Sequence, residues 1–349
     1  MTNTFTARAP GRVNLIGEHT DYNGGMVLPA VLSVGLKVTL VPRDDSAVAV
    51  SSNNYTDPAI RDLDDDAVGE WADPVVGAVR KANALGLLNG GATLDIQSTI
   101  PEGSGLSSSA ALIVAVLKAA REAVGGDGLG NIELAIAARQ VENNYMGVPC
   151  GIMDQMAVAL APPGNAMALD TKSLDYDLIA LPEGFEMVVV HSGQTRKLTD
   201  GRYAARKNEC DAAKRHFVTE DLCLLERAEV EAAGLNETPK NRALHCVTEH
   251  ARVRYATAAL AAGDTQSFGA LMNESHASMR DLFEMSLPEI DALVESAVEF
   301  GALGARLTGG GFGGCIVACL EQGRRLDWLE QLLERHPHAH FIDAVSLAP

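Results

Sequence analysis

The chain contains 349 residues, 47% of them hydrophobic, and carries a formal net charge of −18 at pH 7. This length and apolar content suffice for about two domains with packed cores. The negative charge argues against a nucleic-acid-binding protein, because such a protein would bind phosphates through clustered Lys and Arg. We find no leader pattern, no apolar run of about 18 residues and no disulfide framework among the six cysteines, so we expect a cytoplasmic protein with no membrane contact.

The first 160 residues predict strands with a few helices among them. Residues 107–124 are almost wholly apolar, begin with Ser107 as the predicted N-cap and end at two glycines, a pattern typical of a buried central helix. Periodicity and turn residues predict strands at 5–9, 13–16, 26–41, 47–51 and 92–100, and helices at 71–85 and 131–145.

The rest of the chain, beyond Pro162, predicts longer helices. We place a domain boundary near residue 175, which gives predicted domains of residues 1–175 and 176–349. The predicted helices are 201–216, 241–262, 265–283, 288–300 and 325–335, and the predicted strands are 166–170, 186–191, 305–308, 315–320 and 341–346.

A loop rich in Gly and Ser precedes the predicted central helix. Its sequence from Pro101 is Pro-Glu-Gly-Ser-Gly-Leu-Ser-Ser-Ser-Ala-Ala. Unpaired backbone N–H groups and the positive end of the helix dipole meet at such a position, which predicts an anion site. Because the chain contains no Gly-Lys-Ser/Thr, this is not a P-loop of the Walker type. The alternative is an ordinary flexible turn with a Ser cap.

A second glycine cluster lies at residues 308–314, Thr-Gly-Gly-Gly-Phe-Gly-Gly. Its spacing formally fits G-x-G-x-x-G, but a dinucleotide-binding motif lies between a strand and a helix. Here the following residues predict another strand. We therefore interpret the cluster as a hinge, or as a backbone surface pressed close to a ligand.

Polar side chains crowd residues 11–25, Gly-Arg-Val-Asn-Leu-Ile-Gly-Glu-His-Thr-Asp-Tyr-Asn-Gly-Gly. Carboxylates, a His and an aromatic neighbour are what a pocket for a polyol needs. A polar hairpin with a turn at Asn23-Gly24 is the alternative. Asp154 adds another acid at the start of an apolar helical run, where it could equally be a capping residue.

Together these segments resemble the galactokinases of the GHMP kinase family. Residues 11–25 are similar to the galactokinase signature, 101–111 to the ATP loop of the family, and 307–314 to its third, glycine-rich motif. The resemblance covers nearly the whole chain. It implies an α+β fold with an N-terminal domain like ribosomal protein S5, a ferredoxin-like C-terminal domain and an active site in the cleft between them.

The resemblance also implies roles for individual residues. Asp154 matches the catalytic carboxylate of the family and Arg12 its transition-state arginine. The implied sugar ligands are Glu18, His19, Thr20, Asp21, Gly151 and Tyr203. The implied nucleotide-binding residues are Gly103, Ser104, Gly105, Leu106, Ser107, Ser108 and Ser109, and the implied Mg²⁺ ligands are Ser109 and Glu142.

The function implied by the resemblance is ATP-dependent phosphorylation of the C1 hydroxyl of α-D-galactose. The expected ligands are galactose, ATP and Mg²⁺, and we expect a monomer or weak homodimer that binds no nucleic acid. One alternative is a sister kinase acting on N-acetylgalactosamine, arabinose or a uronic acid. A second alternative is a non-catalytic sensor of galactose and ATP, which the intact serine loop makes the weaker reading.

Overall fold

The computed structural model describes residues 3–126, 129–194 and 201–345 and divides into two compact units. The predicted boundary near residue 175 stays a prediction, because a division by packing assigns short segments of the chain to alternate units. The first unit comprises Met1–Arg12, Ser33–Pro101 and Ser107–Leu160, and the second comprises Val13–Leu32, Glu102–Leu106 and Ala161–Pro349.

Strands and helices are distributed along the whole chain. The strands are β1 (Phe5–Asn14), β2 (Met26–Val27), β3 (Pro29–Pro42), β4 (Ala47–Ser52), β5 (Tyr55–Asp62), β6 (Ala92–Ser98), β7 (Asn165–Asp170), β8 (Tyr176–Ala180), β9 (Phe185–His191), β10 (Gly304–Thr308), β11 (Cys315–Glu321) and β12 (His340–Val345). The α-helices are α1 (Asp73–Ala84), α2 (Ser108–Ala123), α3 (Asn131–Gln140), α4 (Met153–Leu160), α5 (Arg202–Phe217), α6 (Arg227–Ala232), α7 (Glu237–Ala261), α8 (Thr265–Asp281), α9 (Pro288–Glu299) and α10 (Arg325–Arg335). A π-helical turn occupies Val141–Tyr145 and a 3₁₀ turn Leu222–Leu224.

The first unit is built around helix α2. Strand β6 pairs antiparallel with β3 and parallel with β4, and β4 pairs antiparallel with the edge strand β5. Helix α2 contacts α1, α3 and α4, and most of its side chains are fully buried. A helix that is apolar on every side must be buried, which confirms the prediction of a central helix at 107–124.

The second unit contains an antiparallel sheet with strands in the order β10, β11, β9, β12. Side chains of this sheet, such as Ile316, form one apolar core with side chains from outside the sheet, such as Phe283 and Trp328. The two cysteines of β11, Cys315 and Cys319, are buried free thiols. With mixed sheets and helices in both units, the predicted α+β class is confirmed.

The sequence did not indicate every element. Strand β5 is mostly exposed, so its residues show no alternation of apolar and polar side chains. The predicted helix at 131–145 changes after Gln140 into the π-helical turn. The predicted strand at 13–16 is correct only for residues 13 and 14, because they form the end of β1, which stops at Asn14. Among the described residues, no helix has both the length and the apolar character that crossing a bilayer requires.

Candidate active site

Three residues of the first unit meet at one carboxylate. Asp154 lies in the first turn of α4, Arg12 near the end of β1, and Ser107 immediately before α2. The Arg12 Nε and Nη2 groups donate to Asp154 Oδ1 and Oδ2 at 2.7 and 2.8 Å, which is a bidentate ion pair. Ser107 Oγ donates to Asp154 Oδ2 at 2.5 Å. The structure thus brings the two predicted catalytic residues together, although they are 142 residues apart in the chain.

This arrangement fixes Asp154 in orientation and limits what it can bind. A carboxylate offers about four lone-pair positions. Arg12 and Ser107 together occupy three of them. What remains suits one further hydrogen bond, from a donor such as a hydroxyl group.

Ser107 occupies the N-cap position of α2 but does not cap it. Its backbone is left-handed, with φ 62°, and its side chain makes no hydrogen bond to the first turn of the helix. The prediction of a Ser cap is therefore wrong in its chemistry. The hydroxyl donates to Asp154 instead, and the N–H groups that open α2 keep no side-chain cap.

A second polar pair in the first unit joins Ser109 to Glu142. Ser109 Oγ donates to Glu142 Oε1 at 2.6 Å, and Gln155 and Cys150 contact the other carboxylate oxygen. All three partners are neutral, and burial raises the pKa of Glu142. Glu142 lies in the π-helical turn, a feature that often marks functional sites. A hydroxyl and a buried carboxylate whose hydrogen-bond partners in the described part of the chain are neutral are oxygen donors of the kind Mg²⁺ binds.

The glycine cluster of the second unit packs against residues 104 and 105 of the loop rich in Gly and Ser. Gly309 to Gly314 connects β10 to β11, so the cluster lies between two strands as predicted. A Cβ atom on Gly309 would be 3.2 Å from the Gly105 carbonyl oxygen, and one on Gly314 would be 3.1 Å from that of Ser104. Cys315 Sγ donates to the Ser104 carbonyl at 3.3 Å. The backbone of the cluster therefore packs against the loop at Ser104 and Gly105, and its closeness to a ligand stays a prediction.

The polar residues 17–25, here called the polar segment, form a compact turn in the second unit. His19 has a left-handed backbone with φ 59°, and its Nδ1 lies 2.6 Å from the hydroxyl of Tyr22. The His19 ring packs 5.2 Å from Tyr203 and 4.5 Å from Phe283, measured between ring centroids. The prediction that residues 19 and 203 share a site is thus consistent with their contact.

The carboxylate of Glu18 contacts the end of β10. Glu18 Oε1 accepts a hydrogen bond from the backbone N–H of Gly309 at 2.8 Å and lies 3.4 Å from Arg306 Nη2. Both Glu18 and Arg306 are buried. Arg306 also donates to the Asn14 carbonyl at 3.0 Å. Its guanidinium group therefore links the backbone of Asn14 to the carboxylate of Glu18.

Two other predicted sugar ligands, Thr20 and Gly151, are buried in the fold. Thr20 is fully buried, and its hydroxyl lies 2.9 Å from the Gly17 carbonyl and 2.8 Å from that of Met26. Thr20 therefore shapes the polar segment, and its predicted contact with substrate stays a prediction. Gly151 is buried just before α4, two residues ahead of the helix that carries Asp154.

Helix α7 contributes residues that the sequence analysis missed. His245 Nε2 lies 3.1 Å from the Glu18 carbonyl, and Glu249 Oε1 accepts from the backbone N–H of Gly17 at 3.0 Å. Burial lowers the pKa of His245 to about 4. Burial acts to raise the pKa of Glu249, but nearby positive charge, led by Arg252, outweighs it and brings the value to about 2. The available signal was the i, i+4 spacing of His and Glu on one helix face.

The buried His245 makes stability depend on pH. Its pKa is near 6.5 in the unfolded chain and about 4 in the fold, so between these values the unfolded state binds the extra proton. The contribution of His245 to the free energy of unfolding is therefore fully present above about pH 6.5. It is lost as the pH drops towards 4, which lowers stability by about 3 kcal/mol at most. We expect urea unfolding at several pH values to show this loss, and His245→Gln to lose less stability over the same range. Equal losses in both proteins would contradict the assignment.

Three family models match the chain. The model of the GHMP kinases N terminal domain matches residues 73–161, and that of the GHMP kinases C terminal matches residues 256–336. The galactokinase galactose-binding signature matches residues 2–40, which include Arg12 and Glu18. The two ends of the chain and its middle thus match in the order expected from the sequence.

Solved structures resemble the chain along its whole length. The galactokinase of Lactococcus lactis, crystallised with galactose, is 32% identical, with a TM-score of 0.93 over 99% of this chain and 94% of that one. Mevalonate kinase of Methanococcus jannaschii is 17% identical, with a TM-score of 0.74 over 99% of each chain. Phosphomevalonate kinase of Streptococcus pneumoniae, in complex with phosphomevalonate and AMPPNP, is 13% identical, with a TM-score of 0.71 over 97% of this chain and 98% of that one. The last two show the fold alone.

Proposed function

This chain belongs to the galactokinases of the GHMP kinase family, enzymes that phosphorylate galactose, and we propose that Arg12, Ser107 and Asp154 position the galactose C1 hydroxyl for phosphorylation by ATP. The predicted family, two-domain fold and kinase activity are confirmed. The individual residue roles are the proposal. The observation that carries it is the carboxylate of Asp154, held by three hydrogen bonds with room for one more.

Phosphoryl transfer asks for positioning and charge neutralisation more than for covalent help from the protein. The C1 hydroxyl of galactose would donate to the remaining acceptor position of Asp154, within about 2.6–3.2 Å, as general-base catalysis requires. Arg12 holds this carboxylate in place and brings a fixed positive charge to the site of reaction. Asp154 thereby orients the hydroxyl and accepts its proton as the bond between the C1 oxygen and the γ-phosphorus forms. The bond between the γ-phosphorus and the β,γ-bridging oxygen breaks in the same transfer, and ADP leaves.

The loop at residues 103–109 is proposed to hold the phosphates of ATP. The N–H groups at the start of α2 are left without a side-chain cap, so they remain donors for an anion. A chain with a net charge of −18 repels ATP at long range, and local backbone donors overcome that repulsion at the site. The carbonyls of Ser104 and Gly105 are packed against the glycine cluster, which gives the loop a defined shape.

Ser109 and Glu142 are proposed to hold Mg²⁺. They supply a hydroxyl and a carboxylate oxygen at one point, and Mg²⁺ is usually bound by one or two protein oxygens together with phosphates and water. When bound, Mg²⁺ would neutralise charge on the phosphates of the nucleotide. Gln155, which donates to the other oxygen of Glu142, keeps that carboxylate oriented.

The sugar hydroxyls are proposed to contact Glu18, His19, Asp21 and Tyr203. Carboxylates accept hydrogen bonds from hydroxyls, and the imidazole of His19 can donate or accept. The rings of His19, Tyr22 and Tyr203 supply the apolar surface on which a sugar ring packs. Gly151 provides backbone close to Asp154, and Thr20 holds the polar segment in its turn.

A coupled ATP assay with a panel of sugars tests this function. We expect kcat/KM to be highest for galactose and lower for N-acetylgalactosamine, L-arabinose and galacturonic acid. Arabinose lacks the C6 hydroxyl, and a C6 carboxylate would be repelled by the negative charge of Glu18. A higher kcat/KM for any of the other three would replace galactose as the substrate, and ATP binding without turnover of any sugar would favour a sensor.

Glu18 should affect sugar binding more than the chemical step. We expect Glu18→Ala to raise the KM for galactose about tenfold or more and to change kcat less than about threefold, because the contact is made before and during transfer alike. Glu18→Gln keeps the shape of the side chain and an acceptor for the Gly309 N–H. Its KM for galactose should therefore lie between that of the wild type and that of Glu18→Ala. The reverse pattern, a large fall in kcat at constant KM, would remove Glu18 from the sugar ligands.

We propose a cytoplasmic enzyme that works as a monomer or weak homodimer. The six cysteines are all free thiols, and five of them are buried, which suits a reducing compartment. Light scattering after size-exclusion chromatography at several concentrations measures the oligomeric state. A stable assembly larger than a dimer would contradict the proposal.

A further inference from the structure

Helix α7 buries a stripe of polar side chains. Arg242, His245 and Glu249 are each 0% exposed and recur at spacings of three and four residues, so they share one face of the helix. Burying polar and charged groups costs free energy unless every one is hydrogen-bonded. A helix face of this kind therefore points to partners that use these groups.

Two of the three side chains, His245 and Glu249, hydrogen-bond to the backbone of consecutive residues in the polar segment. His245 Nε2 lies 3.1 Å from the carbonyl oxygen of Glu18, and Glu249 Oε1 accepts from the N–H of Gly17 at 3.0 Å. Residues 17 and 19 both have left-handed backbones, so this stretch cannot pair as a regular strand. The side chains of α7 satisfy the backbone groups that sheet pairing would otherwise satisfy.

The same helix also fixes the segment by shape. Val253, four residues beyond Glu249, lies 2.8 Å from where a Cβ atom of Gly17 would be. Phe283 packs between the rings of His245 and His19, at centroid distances of 4.6 and 4.5 Å. The backbone of Glu18 and the ring of His19 are thus held against one rigid surface.

Two serines of helix α8 hydrogen-bond to the side chains of His245 and Glu249. Ser278 Oγ lies 2.8 Å from His245 Nδ1, and Ser275 Oγ donates to Glu249 Oε1 at 2.5 Å. Nδ1 accepts from Ser278 when the ring is neutral with its proton on Nε2, the tautomer that donates to the Glu18 carbonyl. Arg252 Nε donates to the second oxygen of Glu249 at 2.8 Å.

We propose that His245 and Glu249 are positioning residues for the sugar. They fix the backbone of Gly17 and Glu18, and through it the direction in which the Glu18 and His19 side chains meet galactose. This inference rests on the proposed sugar-binding role of Glu18 and His19. Neither helix residue touches the substrate, so their effect should appear in sugar binding and be absent from nucleotide binding.

Paired substitutions at each position test the inference. His245→Leu and Glu249→Leu remove the hydrogen bonds to the polar segment, whereas His245→Gln keeps a donor and Glu249→Gln keeps an acceptor. We expect the Leu variants to raise the KM and the calorimetric Kd for galactose about tenfold or more, and the Gln variants to stay within about threefold of wild type. The KM for ATP and kcat should change less than about threefold in all four.

A control separates positioning from general stability. Leu332→Ala removes a buried side chain of α10 in the core of the same unit. It should lower Tm while leaving the galactose KM within about twofold of wild type. If the Leu variants do not fold, Ser275→Ala and Ser278→Ala remove only the supporting hydroxyls and should raise the galactose KM about threefold.

Three outcomes would overturn the inference: an unchanged galactose Kd in folded Leu or Ser variants, an equal rise in the KM for ATP, or a galactose KM that rises in Leu332→Ala as well. Failure of the proposed function looks different. In that case the wild-type protein itself would not phosphorylate or bind galactose, before any variant is compared.

Discussion

Asp154→Ala is expected to lower kcat about 10³-fold or more while galactose binding stays measurable. The change removes the group proposed to orient the reacting hydroxyl, and general-base groups contribute about 10²–10⁴ to rates. It also leaves the buried guanidinium of Arg12 without its bidentate partner. Turnover from the coupled assay and galactose affinity from calorimetry give the two quantities separately. Near-normal turnover would remove Asp154 from the mechanism.

Asp154→Asn sharpens this prediction, because it keeps the shape and removes the charge. Its amide nitrogen would face donors of Arg12 or Ser107, so turnover should again fall. Asp73 offers a matched control in the same unit. It lies in the first turn of α1, pairs with Arg61 at 3.1 Å and accepts backbone N–H groups. Asp73→Asn should lower Tm and leave kcat unchanged.

Arg12→Lys is expected to lower kcat about 10²-fold, although the positive charge is kept. The guanidinium contacts both oxygens of Asp154 through Nε and Nη2, and an ammonium group cannot reproduce this two-point contact. Without it the carboxylate can rotate, and its remaining acceptor position would no longer face the proposed substrate hydroxyl in one direction. Arg12→Met, which also removes the charge, should lower kcat further.

Arg61→Lys is the control for Arg12, since Arg61 also pairs with a helix-start aspartate in the first unit. It should change Tm and leave kcat close to wild type. If Arg12→Lys keeps kcat within about threefold, the charge of Arg12 matters and its bidentate geometry does not. Crystals of the variant with galactose would then show whether Asp154 has kept its orientation.

Local patterns predicted the fold where a segment has one environment along its length. Helix α2 is apolar on every side, and its burial follows from that composition. The glycine cluster between β10 and β11 was correctly separated from a dinucleotide motif because the residues after it form a strand. Strand β5 escaped notice because an exposed edge strand carries no apolar alternation.

The site was less accessible from the sequence, since its geometry depends on residues far apart in the chain. Nothing near Arg12 indicates a partner at Asp154, and only the family resemblance connected them. Ser107 was predicted to cap α2 because Ser commonly does so, but a carboxylate within reach took its hydroxyl. His245 and Glu249 resemble solvent-facing residues of an ordinary helix until the polar segment is seen against them.

The contact between the glycine cluster and the loop rich in Gly and Ser has a consequence for folding. Cys315 and Ser104 are 211 residues apart, and the loop at Ser104 and Gly105 is bounded by the turn that joins β10 to β11. Closing so long a span costs chain entropy before any contact compensates for it. Helix α2 can form from its own residues, but the loop before it acquires its shape only when the C-terminal strands have paired. During synthesis, therefore, the loop reaches its final shape, and with it the proposed ability to bind nucleotide, about two hundred residues after the loop itself has been made.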